Sequence, residues 1–245
     1  MKKSSWMILF VSAVLSAGLR VWQMLAGFEE SGLAKRGFVP GLALPVVLLA
    51  AAVYFTLSAR SLPGRRADAL RLAKEFRFAD NMPAVFGAVA GSFLVMLGGG
   101  LYFVKSGRSA LTMLLAVFAV AAAASVLYTA FALYRGSEVQ NLALLAPICA
   151  LVLMLVYIYR ADATDPVLTR TYVEILAVSA LTLSVSLRAA FVFGGSAPRR
   201  FLPIAALAVI LSVTAAAECA EASHIALFAG CAAIELGFLA AADFS

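Results

Sequence analysis

Apolar residues in this chain do not alternate with polar ones at the spacing of a strand or of a half-buried helix. They dominate stretches of about twenty residues at a time, over Ser4–Met24, Phe38–Leu57, Pro83–Val104, Ala110–Tyr134, Gln140–Tyr159, Pro166–Gly194, Phe201–Ala217 and His224–Ala242. At about 1.5 Å rise per residue, twenty helical residues cover the roughly 30 Å hydrocarbon core of a bilayer. A soluble protein of this size has no interior large enough to hide so many helices that are apolar all round. The pattern predicts an all-α, polytopic integral membrane protein with about eight transmembrane helices, forming one domain over residues 1–245.

The pattern changes between the second and third runs. In the segment of about residues 61–80, Ala69, Leu72, Ala73 and Phe76 recur at i, i+3, i+4 and i+7, with Arg66, Asp68, Arg71, Lys74, Glu75 and Arg77 on the opposite arc. This spacing predicts one amphipathic interfacial helix whose narrow apolar stripe enters the acyl boundary. Arg66, Arg71, Lys74 and Arg77 are then placed to meet anionic lipid head groups, with a cytoplasmic protein partner as the other occupant of that face.

Punctuation between the runs reads as caps. Ser137-Glu138-Val139-Gln140 has the form of a capping box, and Asp165-Pro166 places a cap residue before a first-turn proline. Gly87-x-x-x-Gly91 and Gly98-Gly99-Gly100 mark a third span whose backbone can approach a neighbour closely. Packing within one chain is the first expectation, a homo-oligomer contact the second, and a helix broken at the triple glycine the third. No four-plus-four internal repeat is visible.

Composition narrows the function classes. With 64% hydrophobic and 13% charged residues, and no polar connection longer than about Ser58–Met82, no separate aqueous domain remains to carry catalysis. A net charge of +6 in a soluble protein would point to nucleic acid. Here topology explains it, and no nucleic-acid partner is expected. With the N-terminus in the cytoplasm, Lys2, Lys3, Arg60, Arg65, Arg66, Arg71, Lys74, Arg77, Arg135, Arg199 and Arg200 fall inside, against Lys35, Arg36, Lys105, Arg108, Arg160 and Arg170 outside. By the positive-inside rule the expectation is a multi-pass protein of a cell (inner) membrane with both termini cytoplasmic. The rival is a signal peptide, with Lys2 and Lys3 ahead of Trp6–Leu15 and small residues at Ser16–Gly18, but the apolar run continues through Val21, Trp22 and Met24. Cys149, Cys219 and Cys231 form no C-x-x-C pair and read as small apolar packing residues.

The candidate chemistry lies in the few ionisable side chains within spans, which are costly in a bilayer and need partners. These are Arg20, Glu174, Arg188 and Glu235. Arg188 and Glu235 each lie about 10 Å above the inner boundary by helical rise, which predicts an ion pair between the sixth and last spans. Arg20 matches the depth of Glu174, and Glu174 and Arg188 fall on one face of the sixth helix. Ser179, Thr182 and Ser186 add a hydroxyl stripe to that helix. Glu218-x-x-Glu221-x-x-His224 contains a Glu-x-x-His unit and the chain's one histidine, a spacing that can set metal ligands on one helix face.

No H-E-x-x-H, G-x-S-x-G or Walker-type phosphate loop is present, and no lysine sits near the middle of a span. An enzyme is therefore not the expectation, and no cofactor is implied. The leading expectation is binding or translocation of a small molecule or ion, alone or as the membrane subunit of a transporter. Its path would be lined by Glu174, Arg188, Glu235, Arg20, Ser179, Thr182 and Ser186. The alternative is a non-transporting scaffold or sensor that recognises another membrane protein, and either a membrane-protein partner or a homo-oligomer is compatible with the chain. An intramembrane metal site or enzyme built on Glu218, Glu221 and His224 ranks third.

Overall fold

The computed structural model describes residues 3–29, 35, 38–62, 76–105, 109–137, 139–162, 172–192 and 198–242. Among these residues the regular structure is eight α-helices: α1 Lys3–Ala26, α2 Val39–Ala59, α3 Met82–Lys105, α4 Ala110–Tyr134, α5 Asn141–Asp162, α6 Tyr172–Val192, α7 Pro198–Glu218 and α8 Ala222–Ala241. All eight are long and apolar enough to cross a bilayer. Large apolar side chains stand exposed on their outer faces, with Phe10 72% and Phe86 75% accessible. In water that surface would aggregate; in lipid it is the ordinary outer face. The chain is an integral, polytopic helical membrane protein.

Successive helices alternate direction. The lower end of the molecule holds the starts of α1, α3, α5 and α7, and the upper end holds their finishes. Contacts follow the chain around a ring, α3 on α4, α4 on α5, α5 on α6, and α6 through α7 to α8, which closes back on α3. Outside the ring, α1 and α2 pack against each other and against α7. This leaves α7 and α8 the most enclosed of the helices.

Glycine closes the ring. A Cβ on Gly91 would stand 2.6 Å from the Gly230 carbonyl oxygen, and one on Gly230 would stand 2.7 Å from the Gly91 carbonyl oxygen. Gly87 and Gly237 make the same close approach one to two turns below. The Gly87–Gly91 stripe is thus spent on α3–α8 packing within the chain, where van der Waals contact rather than apolar burial drives association. The triple glycine does not break α3, which runs unbroken from Met82 to Lys105. Gly98 and Gly99 instead admit α8 and α4, against Leu227 and Ala119.

Two local expectations are corrected. Ser137 is not a cap for the following helix. Its N–H donates to the Ala132 carbonyl while Gly136 N–H donates to Leu133, and Gly136 has φ +67°. This is a Schellman ending of α4, and it consumes Ser137 as the residue after the left-handed glycine. Gly136→Ala should cost about 1 kcal/mol, since a Cβ is disfavoured in that conformation, and thermal unfolding in detergent measures it.

The second correction concerns the connection between α2 and α3. The predicted amphipathic helix, with Arg66, Arg71 and Lys74, lies outside the described residues, as does the Asp165-Pro166 cap. Phe76 and Arg77 are described. Phe76 does not face lipid: it is fully buried, because its backbone bridges to Ala242 and Arg77 N–H donates to the Ala241 carbonyl. The Phe76 ring packs edge-on against Phe191, Phe201 and Phe238 at centroid distances of 5.6, 5.5 and 5.8 Å. With Phe78, these rings plug the lower end of the ring of helices. Arg77 is exposed at the same end.

Candidate functional site

Charged groups gather at two levels, and α6 and α8 supply both. These helices run in the same direction, so a residue near the start of one meets a residue near the start of the other.

At the lower level Arg188 of α6 and Glu235 of α8 are buried, with Arg188 Nη1 3.2 Å from Glu235 Oε1. The pairing expected from depth is present. Ser184, one turn before Arg188, donates a 2.7 Å hydrogen bond to Glu235 Oε2. The guanidinium carbon stands 3.8 Å from the centroid of the Phe238 ring, a cation–π contact that ties the pair to the aromatic plug below. Nη1 is spent on this ion pair and makes no further hydrogen bond among the described residues.

A cavity of about 60 Å³ lies inside the ring. The cavity is walled by α3, α4, α5, α6 and α8, through side chains such as Val95, Leu115, Met154, Leu181 and Ile234, with Arg188 and Glu235 among the lining residues. A single water needs roughly 10–15 Å³ measured in this way, so there is room for several waters or for part of a small apolar molecule.

The upper level holds a broader polar cluster. Arg20 of α1 is fully buried and pairs through Nε with Glu218 Oε2 at the end of α7. Its Nη1 donates to Gln23 Oε1 at 2.9 Å, and its guanidinium lies 4.8 Å from the Tyr172 ring centroid. Arg20 therefore does not pair with Glu174. The depth match was sound, but α1 packs on α7 rather than on α6, and α7 carries its helix on to Glu218.

Glu174 instead meets residues from the turn between α7 and α8. Cys219 Sγ donates to Glu174 Oε1 at 3.4 Å, and His224 Nδ1 lies 3.6 Å from Glu174 Oε2. Burial pushes the Cys219 thiol above its ordinary range, and the nearby carboxylates of Glu174, Glu218 and Glu221 push it further. His224 stacks at a tilt on Tyr102, 5.3 Å between centroids, and Tyr157 completes a triangle of rings, 5.5 Å from Tyr102 and 6.2 Å from His224.

The sequence-derived metal set is thereby corrected. Glu218 is turned to Arg20, and Glu221 is the extended, exposed residue ahead of α8, so Glu218, Glu221 and His224 do not share a helix face. Ser179, Thr182 and Ser186 do not line the cavity either. Ser179 is exposed, and Thr182 donates back to the Val178 carbonyl of its own helix.

Sequence reasoning gave no site role to Ser184, Gln23, Tyr102 and Tyr157, and it read Cys219 as a packing residue. Ser184 lies at i−4 from Arg188 and Gln23 at i+3 from Arg20, which are signals legible in the chain. The other three converge from separate elements and leave no local pattern. Comparison of the chain with models of protein families, with curated proteins and with solved structures finds no match.

Proposed function

We propose that this membrane protein binds a small, largely apolar molecule with one anionic or acceptor group in the cavity within the helix ring, as a binding protein or carrier of such molecules. The observation that carries this reading is the buried Arg188–Glu235 pair, whose two residues are the charged members of the lining of an otherwise apolar cavity. Apolar walls hold the body of the ligand, and the guanidinium, set by Glu235 and Phe238, receives its polar end. The aromatic plug closes the lower side. The reading includes both termini facing the cytoplasm of a cell membrane, supported by the uneven distribution of basic residues along the chain.

Hexanoate is a suitable probe, with hexylamine as the control of opposite charge. Hexanoate is expected to raise the melting temperature of the purified protein in detergent more than hexylamine does. The shift should vanish in Ala119→Leu, which fills the cavity, and in the double variant Arg188→Leu/Glu235→Leu. An equal shift in all three proteins would sink the reading.

One observation favours the scaffold as a second reading. A groove of about 640 Å³ opens between α1, α3 and α8, lined by Trp6, Phe86, Ala90, Leu236 and Ala240 among others. Cross-linking through a cysteine at Ala90 into a larger species in native membranes, together with a silent hexanoate experiment, would make that the better account.

A further inference from the structure

We infer that Glu174, Cys219 and His224 form a binding site for one borderline divalent cation of the zinc type, separate from the cavity and independent of the ligand assigned to it. A carboxylate oxygen, a thiol sulfur and an imidazole nitrogen, from α6, the α7–α8 connection and α8, all lie within 4.8 Å of one another. With metal–ligand bonds of about 2.0–2.3 Å, the edges of a tetrahedral site span about 3.3–3.7 Å. Cys219 Sγ lies 3.4 Å from Glu174 Oε1 and His224 Nδ1 lies 3.6 Å from Glu174 Oε2, so each ligand stands at about an edge's length from one oxygen of the carboxylate, and a small side-chain adjustment brings the set from within 4.8 Å onto one ion. All three side chains are half-buried rather than free in solvent.

The ligand set chooses the ion. Magnesium and calcium take oxygen donors and have no use for a thiol. A sulfur, a nitrogen and an oxygen together suit zinc and its first-row neighbours. Three protein ligands leave the fourth position open, the arrangement of a site that exchanges a water or a substrate atom.

A separate observation points the same way. Tyr102 is 3% exposed, its ring lies against His224, and its hydroxyl has no hydrogen-bond partner among the described residues. A water or other ligand in the open position of the ion supplies the missing partner.

The test uses cobalt(II) as a spectroscopic stand-in, on full-length protein in detergent with Cys149→Ser and Cys231→Ser, so that Cys219 is the one thiol. One equivalent of cobalt is expected to bind and to give a thiolate-to-cobalt charge-transfer band, which zinc chloride displaces. Cys219→Ser should remove the band, and His224→Ala should weaken binding by more than about 10-fold. Zinc should raise the melting temperature of the parent and leave that of Cys219→Ser unmoved. A folded parent that binds cobalt without a thiolate band overturns the site, and so does a Cys219→Ser variant that keeps the same zinc-induced shift. Should the variants fail to fold, the parent spectrum alone decides, because only Cys219 can give that band. The hexanoate shift reads the other level of the molecule, so failure there leaves this result standing.

Discussion

Arg188→Ala is expected to destabilise the protein by about 3–5 kcal/mol, and Glu235→Ala by a similar amount, because each leaves its partner charged and buried without compensation. The geometry refines this. Glu235 without Arg188 keeps only the Ser184 hydroxyl, whereas Arg188 without Glu235 keeps the face of Phe238. Arg188→Leu/Glu235→Leu removes both charges together and should be far milder than the sum of the single changes, as replacing a buried ion pair by apolar residues often is. Exchanging the charges, Arg188→Glu with Glu235→Arg, should rescue only in part, since it sets a carboxylate over the electron-rich face of Phe238. Unfolding in mixed micelles gives all four values. A double leucine variant as unstable as the sum of its parts would show that the two residues act separately.

The contrast between this pair and Arg20 shows how far a membrane sequence can be read. Depth follows from counting residues along a span, and it placed Arg188 beside Glu235 and Arg20 level with Glu174. Lateral neighbours depend on which helices touch, and that is set by small residues and ring stacking spread over several spans. The two α6–α8 meetings, Glu174 with His224 and Arg188 with Glu235, follow from two parallel helices with α7 between them. Nothing in either segment announces that arrangement. The eight spans were legible because apolar stretches of that length have one physical solution in lipid. Phe76 was misread for the opposite reason. It fits the periodic stripe, yet the backbone bridge to Ala242 turns its ring into the aromatic plug. Cys219 looked like a packing residue because Glu174 reaches it from α6, 45 positions away in the chain, and nothing local to the α7–α8 turn signals that meeting.

The largest single-residue effect on both sites should come from a residue that belongs to neither. Gly91→Leu places a side chain where a Cβ alone would lie 2.6 Å from the Gly230 carbonyl oxygen and 2.8 Å from Ile234 N. Both obstacles are backbone, so no rotamer change relieves the clash, and α3 and α8 must part. Overpacking a filled interior by a few methylenes commonly costs about 1–3 kcal/mol, and a clash between main chains belongs at or above the top of that range. Helix α8 carries His224 and Glu235, so parting it from α3 should weaken the cobalt signal and the hexanoate shift together, although Gly91 touches neither ligand. Gly100→Leu supplies the control. Its Cβ meets nothing within 4 Å, and its position on the same helix is exposed. There the gain in helix propensity, up to about 1 kcal/mol over glycine, should leave the protein as stable as before or slightly more so. If Gly91→Leu behaves as Gly100→Leu does, the glycine contact between α3 and α8 is not what holds the two charged levels in place.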